Sequence, residues 1–428
     1  MDFILLFIGI AALLRGRTHT VITIITILCS RYLQLPINSP FAINFIFPHN
    51  VEDTGLLLYI LWFISFLVKG RISSSHPLKG CVLMFFIFLI VSGIYDIFID
   101  TSAVDVVKYL RQWLLLTVVF IAPNLSIYTI KRSLKQLTII TVCICLLLLL
   151  THITNFNIIG LKALEGRGIK PPSYSMICAL ILFANPWKYK AVKKYIYIAI
   201  LILPSLLSLK VTYVITIVLM FVLYTMAKTD STPARKVIMF LTTLVASVFV
   251  LSSSNDLMGR MIEMRTNLSS QSISNIEAED NFTYRLAHAA ERLMYILESR
   301  DKSIRGLGFI SEENYKEDAF QIGLWSEHSR STVQLDTGDI AWSILFLRLG
   351  LLGITIYLIL YFKLINVLRK IRHYDPLFTV YSIIMMVFIV FTSLGNTIIT
   401  TGEFFFIPLL LSSCIKKTNE NNSYNMVL

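Results

Sequence analysis

Apolar residues in this chain gather into long unbroken runs rather than the alternating or three-and-four spacings of a water-soluble domain. The runs fall near 2–14, 18–35, 55–68, 80–99, 107–126, 136–153, 174–187, 195–209, 211–227, 237–252, 339–362, 376–395 and 403–415. A helix needs roughly 20 mostly apolar residues to cross a hydrocarbon core of about 30 Å, and most of these runs approach that length. Run 2–14 is short enough to be half a hairpin, and two runs meet at Lys210 through a tight turn. The pattern predicts an all-α integral membrane protein, a bundle of about 12 or 13 transmembrane helices. Ten helices fall within 1–252, a large outer loop with an amphipathic helix follows over 253–338, the C-terminal helices occupy 339–415, and 416–428 is a tail.

Composition agrees with that pattern. The 428 residues are 56% hydrophobic and only 15% charged, which lies outside the range of soluble globular chains. The net charge of +12 has a simple location, because Lys and Arg collect in every second connection. Arg15 and Arg17 mark the first of these, and Lys188, Lys190, Lys193 and Lys194 a later one; the series ends at Lys416 and Lys417. Positive connections stay on the cytoplasmic side, so the C-terminus is expected there and loop 253–338 on the periplasmic face of a bacterial inner membrane. Charge accounted for in this way is no nucleic-acid footprint. The six cysteines sit in or at the ends of apolar runs, without metal spacing or a disulfide framework. The amino terminus lacks a basic n-region and a cleavage site, so run 2–14 is expected to remain. No repeat of 20 to 50 residues and no inverted repeat is visible, which disfavours a transporter.

Loop 253–338 is far longer than an ordinary connection, and such loops usually carry function. After a Ser/Asn-rich stretch, Glu279, Asp280 and Asn281 offer helix caps ahead of a helix-forming segment reaching about Ser299. Phe282, Leu286, Ala289, Leu293 and Ile296 form an apolar flank suited to the membrane face of a bundle. Arg285, His288 and Arg292 lie within roughly 60° of one another on another flank. That flank suits a phosphorylated lipid headgroup, because guanidinium groups match phosphate oxygens in bidentate fashion, but spacing alone favours a solvated helix side with Glu291 and Glu298 as partners.

Other cations lie at the outer ends of runs. Arg167 sits in the Gly-flanked turn Glu165-Gly166-Arg167-Gly168 that leads to Pro171-Pro172. Lys210 interrupts an apolar sequence, where a charge is either functional or snorkels to the interface. Lys108 and Arg111 are weaker members of the set. Glu52 and Asp53 form an acidic pair like that of metal-dependent lipid-phosphate glycosyltransferases, a two-residue match only. The stretch Glu312, Glu313, Glu317, Asp318 lacks calcium-loop spacing and reads as solvated surface.

The order of these features resembles the O-antigen polymerase and O-antigen ligase superfamily. Arg167-Gly168 with Pro171 looks like its Arg-Gly turn, and Ser208-Leu209-Lys210 sits where relatives carry Ser-Arg. Arg285 ahead of Gly306-Leu307-Gly308-Phe309 resembles its Arg helix and Gly-x-Gly step, and Gly350-Leu351-Leu352-Gly353 its Gly-x-x-Gly within a span. Ligases begin that span with His-Asn, whereas Asp339-Ile340 stands here, which favours polymerase over ligase. The resemblance implies a metal-independent glycosyltransferase without a cofactor. It would act on undecaprenyl-pyrophosphate-linked oligosaccharide for lipopolysaccharide biosynthesis, in contact with membrane lipid and a chain-length regulator protein, and not with nucleic acid. A lipid-linked oligosaccharide flippase is the reading from another class.

The implied reaction needs positive charge on the departing pyrophosphate, a task for Arg285, Arg292, Arg167 and Lys210 with His288 beside them. It also needs a group that orients or deprotonates the acceptor hydroxyl. His328, with an intrinsic pKa of about 6.5, and the carboxylates Asp336 and Asp339 compete for that role; both aspartates also suit helix N-caps.

Overall fold

A computed structural model describes residues 2–30, 51–154, 172–207, 281–371 and a few positions between 405 and 412, with gaps of one to four residues inside these stretches. The described residues are almost entirely helical. In chain order they are α1 (Asp2–Leu14), α2 (Thr18–Cys29), α3 (Val51–Val68), α4 (Lys79–Phe98), α5 (Ala103–Leu110), α6 (Ile127–Thr154), α7 (Ser175–Ala184) and α8 (Ala191–Leu207). The second half contributes α9 (Asn281–Leu297), α10 (Arg300–Arg305) and α11 (Ala341–Ile371). Between α10 and α11 the strands Trp325–Ser326 and Ser331–Thr332 form a two-residue antiparallel ribbon.

Three helices are long and apolar enough to cross a bilayer, at Lys79–Phe98, Ile127–Thr154 and Trp342–Leu364. Only 28% of the apolar stretch of α4 is buried inside the structure, and Leu83, Ile87, Val91 and Ile94 point outward. Apolar surface on that scale calls for lipid as its solvent. Two shorter helices are instead buried all round: every residue of α2 from Val21 to Cys29, and of α7 from Ser175 to Leu182, is enclosed. Helix α2 packs on α1, α3 and α6, and α7 on α6 and α8. Helices without a polar face belong at the centre of such a bundle.

The run at 107–126 departs from a plain helix. After α5 the chain winds as a 3-10 helix over Arg111–Phe120 and closes in a second short turn at Ala122–Asn124, which contains Pro123. A 3-10 helix rises about 2.0 Å per residue against 1.5 Å in an α-helix, so ten residues reach about 20 Å. Two bonds fix this segment to α3. Arg111 Nη1 lies 2.9 Å from Asp53 Oδ1, and the Tyr59 and Thr117 hydroxyls are 2.6 Å apart. Asp53 is thus paired with Arg111. Trp113 packs against Phe85 of α4 at 4.8 Å and Tyr357 of α11 at 6.0 Å, which joins three elements in one aromatic core.

The runs at 211–227, 237–252 and 376–395 lie outside the described residues.

Candidate functional site

Two glycine contacts organise the described residues around α10 and α11. Helix α11 is kinked at Gly350, whose φ of 57° is a conformation side chains rarely tolerate. Gly306, at φ 74°, ends α10 directly against that kink. A methyl group on Gly306 would come within 2.3 Å of the Leu347 carbonyl oxygen, and one on Gly350 within 2.4 Å of the Gly306 nitrogen. The backbones therefore touch, and the Leu307 N–H donates to Leu347 O at 2.6 Å. The step Gly306-Leu307-Gly308-Phe309 and the span motif Gly350-Leu351-Leu352-Gly353 are brought together. Gly353 lies one turn further along α11, under the Phe88 ring.

Gly308 serves the other side of the step. A Cβ there would lie 2.4 Å from both carboxylate oxygens of Asp96 in α4. The space admits Asp96 Oδ2 to accept the Phe309 N–H at 2.7 Å, while Oδ1 accepts from Arg305 Nη1 at 2.8 Å. Asp96 is 2% exposed. Phe309 stacks on Tyr109 at 4.6 Å, and Arg305 lies over the Tyr95 ring at 4.3 Å. Buried Arg348 of α11 reaches the Gly308 carbonyl at 3.4 Å. Arg305 is also 3.5 Å from Asp301 Oδ2, so two guanidinium groups and two carboxylates surround the step and their charges balance.

A few residues on, Asp105 of α5 accepts from Ser311 N–H at 3.1 Å and Asn314 Nδ2 at 2.6 Å. Burial opposes its charged form, but the bonds from Asn314 and Ser311 and the charge of Lys108 outweigh that, so the carboxyl is held below its ordinary range. Asp96 and Asp105 both bind described residues of the loop to the first half of the chain.

Helix α9 lies against α11 with a wider face inward than its apolar flank alone. Ala289 and Ile296 are buried as expected, and so are His288 and Arg292, while Met294 and Leu297 are exposed. The His288–Arg292 flank is therefore not a solvated one. Arg292 Nη1 is 2.6 Å from Glu291 Oε2 and 2.5 Å from the Ile322 carbonyl, Nη2 is 3.3 Å from Gln334 O, and the guanidinium covers the Phe320 ring at 4.4 Å. His288 Nδ1 meets the Ser343 hydroxyl at 2.8 Å. Burial first and the neighbouring Arg292 charge second hold His288 down to about 3, so it is neutral at physiological pH and adds no charge to this flank. Arg285 lies on the same helix three residues before His288; its side chain lies outside the described residues.

Around Arg292 the loop is braced by side chains. Gln334 bridges the backbone of Phe320, accepting its N–H at 2.8 Å and donating to its carbonyl at 3.1 Å. Glu312 accepts the N–H groups of Gln334 at 2.6 Å and Leu335 at 2.5 Å. That corrects the reading of Glu312 as solvated surface: its charge is spent on two amides next to Asp336. His328, Asp336, Asp339, Arg167 and Lys210 lie outside the described residues.

Sequence reasoning missed Asp96, Asp105, Arg305 and Arg348. The signal for two of them was present, since Asp96 and Arg348 interrupt apolar runs as Lys210 does, and an ionisable residue within a span is a functional candidate by default. No group of three or more His, Cys, Asp or Glu able to hold a metal occurs among the described residues. In comparisons with known proteins, no protein-family model matches the chain and no curated protein matches it.

Proposed function

We propose that the chain is an O-antigen polymerase of the bacterial inner membrane, moving a growing glycan from undecaprenyl pyrophosphate to the next lipid-linked repeat unit on the periplasmic face. One observation carries this reading. The motif positions behind the resemblance, α9, Gly306–Phe309 and Gly350–Gly353, pack against one another beside buried cationic side chains and membrane-length apolar helices.

In this reading the acceptor hydroxyl attacks the anomeric carbon, the bond to the pyrophosphate oxygen breaks, and a base takes the hydroxyl proton. Arg285, Arg167 and Lys210 meet the pyrophosphate, where charge accumulates as it leaves. Arg305 and Arg348 hold the glycine step in place, through Asp96 and the Gly308 carbonyl. Enclosed Arg292 and His288 brace the loop against α11, and His328, Asp336 or Asp339 is the base that takes the acceptor proton. The C-terminus is then cytoplasmic, and a chain-length regulator would meet the periplasmic loop.

Deletion followed by electrophoresis of the lipopolysaccharide tests the reading. A polymerase leaves a single repeat unit on the lipid A core. Bare core would replace the proposal with a ligase or a flippase, and unchanged polymer would remove it.

A further inference from the structure

The opposite end of the bundle carries charge that the proposed reaction does not use. Residues 127–136, which open α6, and 185–200, the turn after α7 with the start of α8, contain Lys and Arg but no Asp or Glu. Helix α2 begins beside them, since Ser133 Oγ donates to the His19 carbonyl at 3.0 Å, so the segment with Arg15 and Arg17 ends on the same side. Like charges from three chain segments repel, and the protein offers no carboxylate within these segments to offset them.

The turn that gathers them is firmly built. Asn185 closes α7 in a left-handed conformation, φ 52°. Its side chain both accepts the Tyr189 N–H at 2.7 Å and donates to the Tyr189 carbonyl at 3.0 Å. Tyr189 is thereby fixed between two helices. Lys135 of α6 approaches its ring at 6.0 Å and Lys193 of α8 at 5.4 Å. Trp187 and Tyr197 flank it with ring centres 6.0 and 6.2 Å away. Aromatic rings with polar tips settle at headgroup depth, and exposed lysines beside them face the phosphates there.

We propose that Lys135, Lys193 and Tyr189 form a binding site for the phosphodiester headgroup of an anionic glycerophospholipid. The two ammonium groups take the phosphate charge, and the aromatic side chains border the glycerol and the first acyl carbons. The rings of Trp187, Tyr189 and Tyr197 beside the two ammonium groups suit a lipid rather than a free anion.

The test is native mass spectrometry of the purified full chain in detergent, titrated separately with phosphatidylglycerol, phosphatidylcholine and inorganic phosphate. Phosphatidylglycerol should bind more tightly than phosphatidylcholine. The double variant Lys135→Ala/Lys193→Ala should weaken it roughly 25-fold, from about a fivefold contribution per cation near a phosphate surface. Lys69→Ala/Arg71→Ala, in another basic connection, should keep the wild-type affinity. Both pairs are exposed, so neither should affect folding. Equal binding of the two lipids, wild-type affinity in the Lys135/Lys193 variant, or displacement of the lipid by equimolar inorganic phosphate would each overturn the proposal.

Discussion

Asp96 and Phe309, 213 residues apart in sequence, are joined by a 2.7 Å hydrogen bond from the Phe309 N–H to the buried carboxylate. The same carboxylate binds Arg305, so one α4 side chain fixes both the end of α10 and the glycine step. Asp96→Ala should lower the thermal unfolding midpoint in detergent by the loss of charge-assisted bonds, each worth about 1.5–3 kcal/mol. Gly308→Ala should do the same by driving a methyl into the carboxylate at a positive φ. A midpoint unchanged in Asp96→Ala would show that the anchor contributes nothing.

The Gly306–Gly350 contact predicts a sharp contrast among glycines. Gly306→Ala and Gly350→Ala each press a methyl onto backbone and should prevent accumulation of folded protein, a loss beyond about 3 kcal/mol. Gly16→Ala should be mild, about 1 kcal/mol, because φ there is also positive but nothing lies within 4 Å of the new methyl. Protease resistance in membranes ranks the three. Equal behaviour of Gly16→Ala and Gly306→Ala would refute close approach as the cause.

Two buried histidines set a pH limit. His76 Nδ1 accepts the Leu78 N–H at 3.1 Å and Nε2 lies 3.0 Å from the Pro408 carbonyl, which assigns the proton to Nε2. Burial lowers His76 to about 4, against a weaker opposing effect of the Pro408 bond, and His288 lies at about 3. The unfolded chain protonates both near 6.5 while the folded chain does not, so stability is full above about pH 6.5 and declines as pH falls toward 4. His76→Gln should flatten the part of that decline between 6.5 and 4, worth up to roughly 3 kcal/mol. An identical acid limb in the variant would exclude His76 as its source.

The positions of several helices could be read from the chain, because long apolar runs mark them. α1, α3, α4 and α8 lie where their runs predict. The winding of 111–120 was not legible, since a 3-10 helix and an α-helix demand the same apolar residues. On α9 the spacing grouped His288 with Arg292 correctly but could not say which way the flank turns. That depends on Gln334, Phe320 and Ser343, up to 55 residues away, offering partners inside. Glu312 shows the same limit: an acidic run looks solvated until two distant amides arrive.

Arg285 is the sharpest test of the chemistry. Arg285→Ala should leave normal membrane abundance and reduce long polymer about ten- to a hundredfold, as loss of a bidentate phosphate contact predicts. Arg285→Lys should recover only part, because the charge stays and the fork is lost. Unchanged polymer length at equal abundance would move the pyrophosphate contact elsewhere. In parallel, His328→Ala should abolish polymer and Asp339→Asn should lower it only in part; full polymer from the His328 variant removes it as the base.

Orientation has its own check. A reporter fused near Ser270 should be active only outside the cytoplasm, as the alternation of basic connections requires. Cytoplasmic activity would place the glycine step on the wrong face for the proposed substrate.

The 3-10 segment beside α3 also has a mechanical meaning. With three residues per turn, Arg111 and Thr117 stand in one vertical column, and each holds a partner on α3. Rewound as an α-helix, the same ten residues would be about 5 Å shorter, and Thr117 would swing about 120° out of that column. The segment therefore has two natural lengths that differ by nearly one α-helical pitch. The bonds at Asp53 and Tyr59 tie the longer one to α3 at both ends of that column.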